Sequence, residues 1–234
     1  MTSDPAAVPD SELIGRILAP ALRAWLRSQL DAIDELQLVI SGKNRQILTG
    51  YIPQVFLRAE HAIYQGLHLS AAEMTAQQIR VNLGQVLRGK PLRLLQPVPV
   101  TGTVQLTFAD LQASLSAPLL AQAIAEILTQ LIPADLAQRL ERPQWQQIQF
   151  IEPAIALTGT LADGQAIALS GQLQLATPHT LRLDPLHLRL GETVHALDAF
   201  NINLGSEVEF ETLTVNADAL KLVGQIQVTP EEEG

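Results

Sequence analysis

The chain has 234 residues, a length that suits one large domain or two small ones; 47% are hydrophobic, with 40 leucines against five Phe, two Trp and two Tyr, and no cysteine. Without cysteine there is no disulfide framework, no Cys-ligated metal centre and no thiol nucleophile, and a mean hydropathy of +0.17 with 17% charged residues excludes a disordered polyelectrolyte. A formal charge of −9 argues against nucleic acid as a partner, yet residues 36–100 hold seven cations against Glu60 and Glu73, whereas residues 101–234 hold five cations against sixteen anions. A chain with two such regions can turn its basic part to an anionic surface while staying soluble.

Residues 1–10 are acidic and Pro-containing and read as a flexible N-terminus without the cationic opening of a signal peptide. One domain is expected over 11–229, followed by an acidic tail over 230–234. It opens with a helix over 11–31. Leu13, Ile14, Ile17, Leu18, Ala21, Leu22, Trp25 and Leu26 recur at helical spacing, with Arg16, Arg23 and Arg27 opposite. Asp10 or Ser11 suits its N-cap, and Pro20 should kink it or mark a break near its middle. The pattern fits a core helix with a solvated Arg face, and also a membrane-surface helix.

The period then falls to two, which predicts an antiparallel sheet over 36–108 with one face buried. Strands are expected around Leu36–Ile40, Ile47–Ile52, Val55–Ala62, after Gly66, and at Ile79–Leu83. A helical block over 110–140 follows, with Asp110 as an N-cap and a second start at Ser116 and Pro118. From there Leu119, Leu120, Ala123, Ile124, Ile127, Leu128 and Leu131 form a wide apolar stripe that a sheet must cover. Pro133 should end this helix, and Ala134–Leu140 can add a turn or two. A second run of strands is expected over 145–228. It includes Gly164–Leu181, the longest charge-free stretch, where Gln165, Ser170, Gln172 and Gln174 interrupt at strand spacing; the chain is therefore expected to be soluble and cytoplasmic.

Three strands share one signature, with Gly102, Gly171 and Gly224 each at the parity of the flanking aliphatics, and Gly159 in a shorter version. Glycine on the apolar face weakens a strand unless something must come close. A bend in the sheet would explain it, and so would the floor of a groove for an acyl chain; the two are compatible.

The search for chemistry is mostly negative. The sequence has no G-x-S-x-G, no G-x-G-x-x-G and no P-loop, and its five histidines form no H-E-x-x-H; no catalytic residue, metal or cofactor is expected. Asp184 and His187 are a poor pair, with Pro185 between them. The segment 83–95 stands out instead: Arg88, Lys90 and Arg93 interleave with leucines around Gly89 and Pro91. That mixture suits a membrane interface, and equally an ordinary strand-edge loop.

The runs Gly66–Ser70, Ile79–Gly84, Leu87–Leu92, Pro97–Gly102 and Phe108–Leu115 resemble the cyanobacterial branch of the LmeA-like phospholipid-binding family, over about residues 36–131, with Gln112 where the family more often has Asn. The resemblance implies an α+β fold like that of tubular lipid-binding proteins: a long, strongly curved antiparallel sheet wrapped around a long amphipathic helix, here with an N-terminal helix added. It brings no catalytic residues. The expected function is non-enzymatic binding of a phospholipid or similar amphiphile, with peripheral association to an anionic membrane. Gly102, Val104, Leu169, Gly171, Leu173, Leu222, Gly224 and Ile226 are expected on the sheet side of the trough, and Leu120, Ile124 and Ile127 opposite. Arg88, Lys90 and Arg93 are expected at the headgroup or bilayer. The alternative is a structural or partner-binding module whose core fills itself. Neither reading specifies an oligomeric state.

Overall fold

A computed structural model describes residues 17–132, 140, 143–151 and 154–230. The expected flexible start, the N-cap at Asp10 or Ser11, Leu13, Ile14 and Arg16, the turns over 134–139, and tail residues 231–234 all lie outside the described residues. The helices are α1 (Ala19–Ser28), α2 (Asn44–Ile47), α3 (Leu83–Val86), α4 (Phe108–Ala113) and α5 (Pro118–Leu131). The strands are β1 (Ala32–Ser41), β2 (Tyr51–Tyr64), β3 (Leu67–Arg80), β4 (Val98–Thr107), β5 (Gln144–Ile151), β6 (Ala154–Thr160), β7 (Ala166–Thr177), β8 (Thr180–Leu190), β9 (Thr193–Leu197), β10 (Phe200–Asn203), β11 (Val208–Val215) and β12 (Ala219–Val228).

They form two antiparallel sheets. The first has the order β1-β2-β3-β4-β12-β11; the second runs β10-β8-β7-β6-β5, with β9 on the same edge of β8 as β10. That edge changes from β9 to β10 around Asp184 and Pro185, where proline has no N–H to donate to a ladder. The second sheet is thus an excursion between β4 and β11, after which the chain returns to complete the first. The long β2–β3 hairpin closes through Gln65 and Gly66, both at positive φ, the geometry of a two-residue turn matched to strand twist. The sheets are stitched where β7 turns into β8: the Phe210 amide of β11 donates to the Pro178 carbonyl at 2.8 Å, and the His179 ring lies 2.6 Å from the Val208 carbonyl oxygen.

Local chemistry moves several expected boundaries. Ile47 ends the short helix α2 and is buried, and β2 starts only at Tyr51. Beyond Arg80, Val81 makes one bridge to Leu94, and Leu83 begins helix α3 instead of continuing a strand. The regular α-helix begins at Ala19, so Pro20 sits in its first turn, where its missing N–H costs nothing. Pro118 plays the same part in α5, whose N-cap is Ala117 and not Ser116. The N-cap of α4 is Thr107; Asp110 is its reciprocal partner three residues on.

The apolar residues gather into two main cores. In one, Leu18 and Leu22 of α1 pack on Ile47, Ile52, Val55, Ile79 and Val98, with Leu83, Val86 and Leu92 from the segment between β3 and β4. In the other, Leu106 and Leu220 of the first sheet meet Ile148, Leu169, Leu186 and Leu188 of the second and Ile124 and Ile127 of α5. A smaller cluster of Ala59, Ala62 and Ala72 lies under Leu30 and Ile33. The fold is α+β and mostly antiparallel, with an N-terminal helix; among the described residues no long helix lies inside a wrapping sheet. α5 has 14 residues and buries only Ile124 and Ile127 fully, while Leu119, Ala121, Gln122, Ala125 and Glu126 face outward. Among the described residues no single helix is long and apolar enough to cross a membrane; α4 with its 3₁₀ extension and α5 would pass by length only as a pair bent by 79°.

Candidate functional site

Strand β4 runs through both cores. Val98 and Val100 belong to the α1 core, Val104 and Leu106 to the other, and all four share one parity with Gly102 between them. Both cores therefore sit on the same face of the first sheet, and at Gly102 that face is left uncovered. Pairing in register sets Met74 beside Gly102, Gly102 beside Gly224, and Gly224 beside Phe210, a row across β3, β4, β12 and β11. With Val100, Val104, Leu222 and Ile226 these residues line a half-open recess with about 270 Å³ of free space, counting its mouth. Every lining residue is apolar or glycine, so water there finds no hydrogen-bonding side chain.

The two glycines form the floor for a geometric reason. A Cβ on Gly102 would overlap the Glu73 carbonyl oxygen and come within 2.9 Å of the Met74 Cα; on Gly224 it would overlap the Glu209 carbonyl and come within 2.7 Å of the Phe210 Cα. In each case the flanking strand's backbone occupies the direction in which a side chain would leave the apolar face. β3 and β11 therefore rise on either side of β4 and β12, and the face is concave at this row. Met74 and Phe210 complete the walls, with the Phe210 Cδ1 2.9 Å from the Gly224 Cβ position. Bend and groove floor are here one feature.

Of the expected sheet-side residues, Gly102, Val104, Leu222, Gly224 and Ile226 come together in this recess. Leu169, Gly171 and Leu173 do not; they lie on β7 of the second sheet. Leu169 and Leu173 pack in the second core with Leu120, Ile124 and Ile127, which face that core and not the recess. Gly171 also has a different role, since its Cβ position is 2.9 Å from Leu186 Cδ1 and so is already filled by the core. Met74, Val100 and Phe210 escaped the sequence reading. Val100 stands two residues before Gly102 on the same strand, but the other two belong to strands without such a glycine and reach the site only through cross-strand register.

Arg88, Lys90 and Arg93 are exposed on a well-fastened segment. The Gly89 amide donates to Val86 and the Lys90 amide to Gln85, a glycine-terminated helix end with Gly89 at φ +80°. The buried Asn82 side chain accepts from the Arg93 amide at 2.7 Å and donates to the Pro91 carbonyl at 3.0 Å. Leu83, Val86 and Leu92 anchor the segment inward, while Leu87 and Leu95 point outward. The cations stand on this frame beside exposed leucines.

The polar cluster around Asp110 is a fastening. Its carboxylate accepts hydrogen bonds from the Thr107 amide at 2.7 Å, from the Thr107 hydroxyl at 2.6 Å and from the Ser70 hydroxyl, while Ser114 Oγ donates to the Asp110 carbonyl and accepts from the His68 amide. Partial burial acts to raise its pKa, but these bonds and the nearby His68 outweigh it and hold the carboxyl below its ordinary value. The result ties the start of β3 to α4. Asp184 is engaged by Arg182 at 2.9 Å, and among the described residues no group of three His, Asp or Glu is placed to hold a metal.

The architecture is that of an α+β protein with two antiparallel sheets and, between two closed cores, an open apolar trough. The chain belongs to the LmeA-like phospholipid-binding family, whose model matches residues 11–225, well beyond the 36–131 on which the resemblance rested. No curated protein and no solved structure matches it.

Proposed function

We propose that the recess between the two cores receives hydrocarbon from a phospholipid or similar amphiphile, and that Arg88, Lys90 and Arg93 meet the headgroup or an anionic membrane surface. One observation carries this reading: the apolar face of the first sheet is continuous from Val98 to Leu106, is covered at both ends, and is left open where two paired glycines make it concave. An uncovered apolar floor is unfavourable in water at about 25 cal/mol per Å², and a flexible chain removes that cost without needing specific polar contacts. The space the recess encloses, about 30 Å³, is far below the roughly 300–1,000 Å³ of an enclosed ligand site, so the reading has a short stretch of one chain lie against its floor and leaves the rest of the lipid outside. No step of this reading uses catalysis. The competing structural-module reading has its support in the second core, where Leu186 fills the space at Gly171.

Native mass spectrometry of gently purified protein, followed by incubation with mixed liposomes, tests the proposal. A co-purifying or acquired lipid is expected. Ile226→Trp, which fills the recess from a position outside both packed cores, should lower uptake about tenfold, the loss of roughly 1.4 kcal/mol of binding. Absence of lipid in both experiments overturns the reading, and so does undiminished uptake by folded Ile226→Trp.

A further inference from the structure

The basic segment 83–95 does not stand alone. Tyr51 pairs with Arg80 across the β2–β3 hairpin, so the β1–β2 connection over 42–50 lies at the same end of the sheet as the β3–β4 connection. The two are bonded directly. The Val81 amide donates to the Gly50 carbonyl at 2.9 Å, and Ile47 packs in one cluster with Leu83, Val86 and Leu92. A Cβ on Gly50 would reach within 3.8 Å of Leu83, which shows how close the backbones lie.

This end carries an uncommon surface. Leu48, Leu87 and Leu95 are 54%, 48% and 61% exposed, three of the four leucines among the large exposed hydrophobics of the described residues. Lys43, Arg45, Arg88 and Lys90 are interspersed with them, and all four are exposed. The two anions of the region are engaged elsewhere: Glu60 and Glu73 both pair with Arg58, at 3.0 and 3.3 Å, midway along β2 and β3. Glu207 and Glu209, at the start of β11, lie toward the same end of the sheet but on its far lateral edge, with β12 between them and β4.

We infer that the 42–50 and 83–95 connections form one docking face for an anionic lipid bilayer, with Lys43, Arg45 and Leu48 acting together with Leu87, Arg88 and Lys90. Apolar side chains among cations match the chemistry of that partner, since leucines enter the headgroup boundary while cations meet phosphate. A soluble acidic protein would satisfy the cations and leave the leucines wet. Docking by this end also suits the recess. Its nearest lining residue on β4, Val100, is two residues from the strand start at Val98, about 7 Å along the strand. The inference thus deepens the lipid-binding reading and rests on it.

The test is co-sedimentation of the full chain with vesicles of phosphatidylglycerol and phosphatidylcholine, run beside the fluorescence of parinaric acid bound by the same protein without vesicles. Lys43→Ala with Arg45→Ala should lower vesicle partitioning about 30-fold, as each basic residue near an anionic surface is worth about 1 kcal/mol. Parinaric acid binding should not change, because neither residue lines the recess. Leu48→Ser should weaken binding in a way that added salt does not restore. Wild-type sedimentation by the double variant, or equal binding of wild type to pure phosphatidylcholine vesicles, overturns the docking face. Failure of the parinaric acid arm alone overturns the lipid-binding recess and leaves the docking result standing.

Discussion

Gly102 and Gly84 show how differently one residue type can matter. At Gly102 the neighbouring backbone occupies the Cβ position, and backbone cannot give way as a flexible side chain can. At Gly84, in exposed helix α3, nothing lies within 4 Å of that position. Gly102→Ala should therefore destabilise the protein by about 2–3 kcal/mol, at the upper end of overpacking costs. Gly84→Ala should stabilise it by about 0.5–1 kcal/mol through lost unfolded-state freedom. Urea melts of the two variants against wild type decide this; a neutral Gly102→Ala would mean that the concave row is not enforced by glycine. In the sequence, parity alone placed both Gly102 and Gly224 on the apolar face. It did not show that they are neighbours, since that depends on β12 returning across more than a hundred residues to pair with β4. Phe210 and Met74 were invisible for the same reason.

At the scale of elements, alternation identified most strands, but it failed wherever an apolar residue was buried from a helix turn. Ile47 and Leu83 have the parity of strand residues and are buried from α2 and α3, because both fill the space beneath α1. The stripe on α5 looked wide enough to need a sheet around it, yet Leu119 on its flank remains exposed. Four-residue helices and half-covered faces are settled by tertiary packing, which periodicity does not record. The junction of β4 and α4 makes its own prediction. Asp110 serves the Thr107 cap and binds Ser70 of β3, so Asp110→Ala should cost about 1–2 kcal/mol at pH 7. Because the folded carboxyl titrates below its ordinary value of 3.8, its stabilisation is present above that pH and is lost as the pH falls through the lower, folded pKa. The gap between wild type and Asp110→Ala in denaturant melts should accordingly narrow as the pH is lowered from 4 toward 2; a gap independent of pH would mean that the carboxylate charge plays no part in the fastening.

For the whole molecule the question is whether two cores make two cooperative units. The recess separates them on one face of the first sheet, and a ligand held there would touch the edge of each, through Val100 on one side and Val104 and Leu222 on the other. Against separation stands the backbone: β4 and β12 pair without a register shift from Val98 with Val228 to Thr107 with Ala219, so one hydrogen-bonded ladder passes beneath both cores. Unfolding either core would free half of that ladder while the other half remained, and exposed backbone groups and apolar floor would make such a state costly. The two tryptophans are placed to decide it, since Trp25 packs against the α1 core and Trp145 against the other. In Trp145→Phe the fluorescence reports only the first, in Trp25→Phe only the second. The two variants should show urea midpoints that agree with their own circular-dichroism transitions, and an amphiphile bound in the recess should raise the midpoint reported by each tryptophan to the same extent. If the Trp25 signal moved at lower urea than the circular dichroism of the same variant, the recess would be a boundary between units and the continuous ladder too weak to join them.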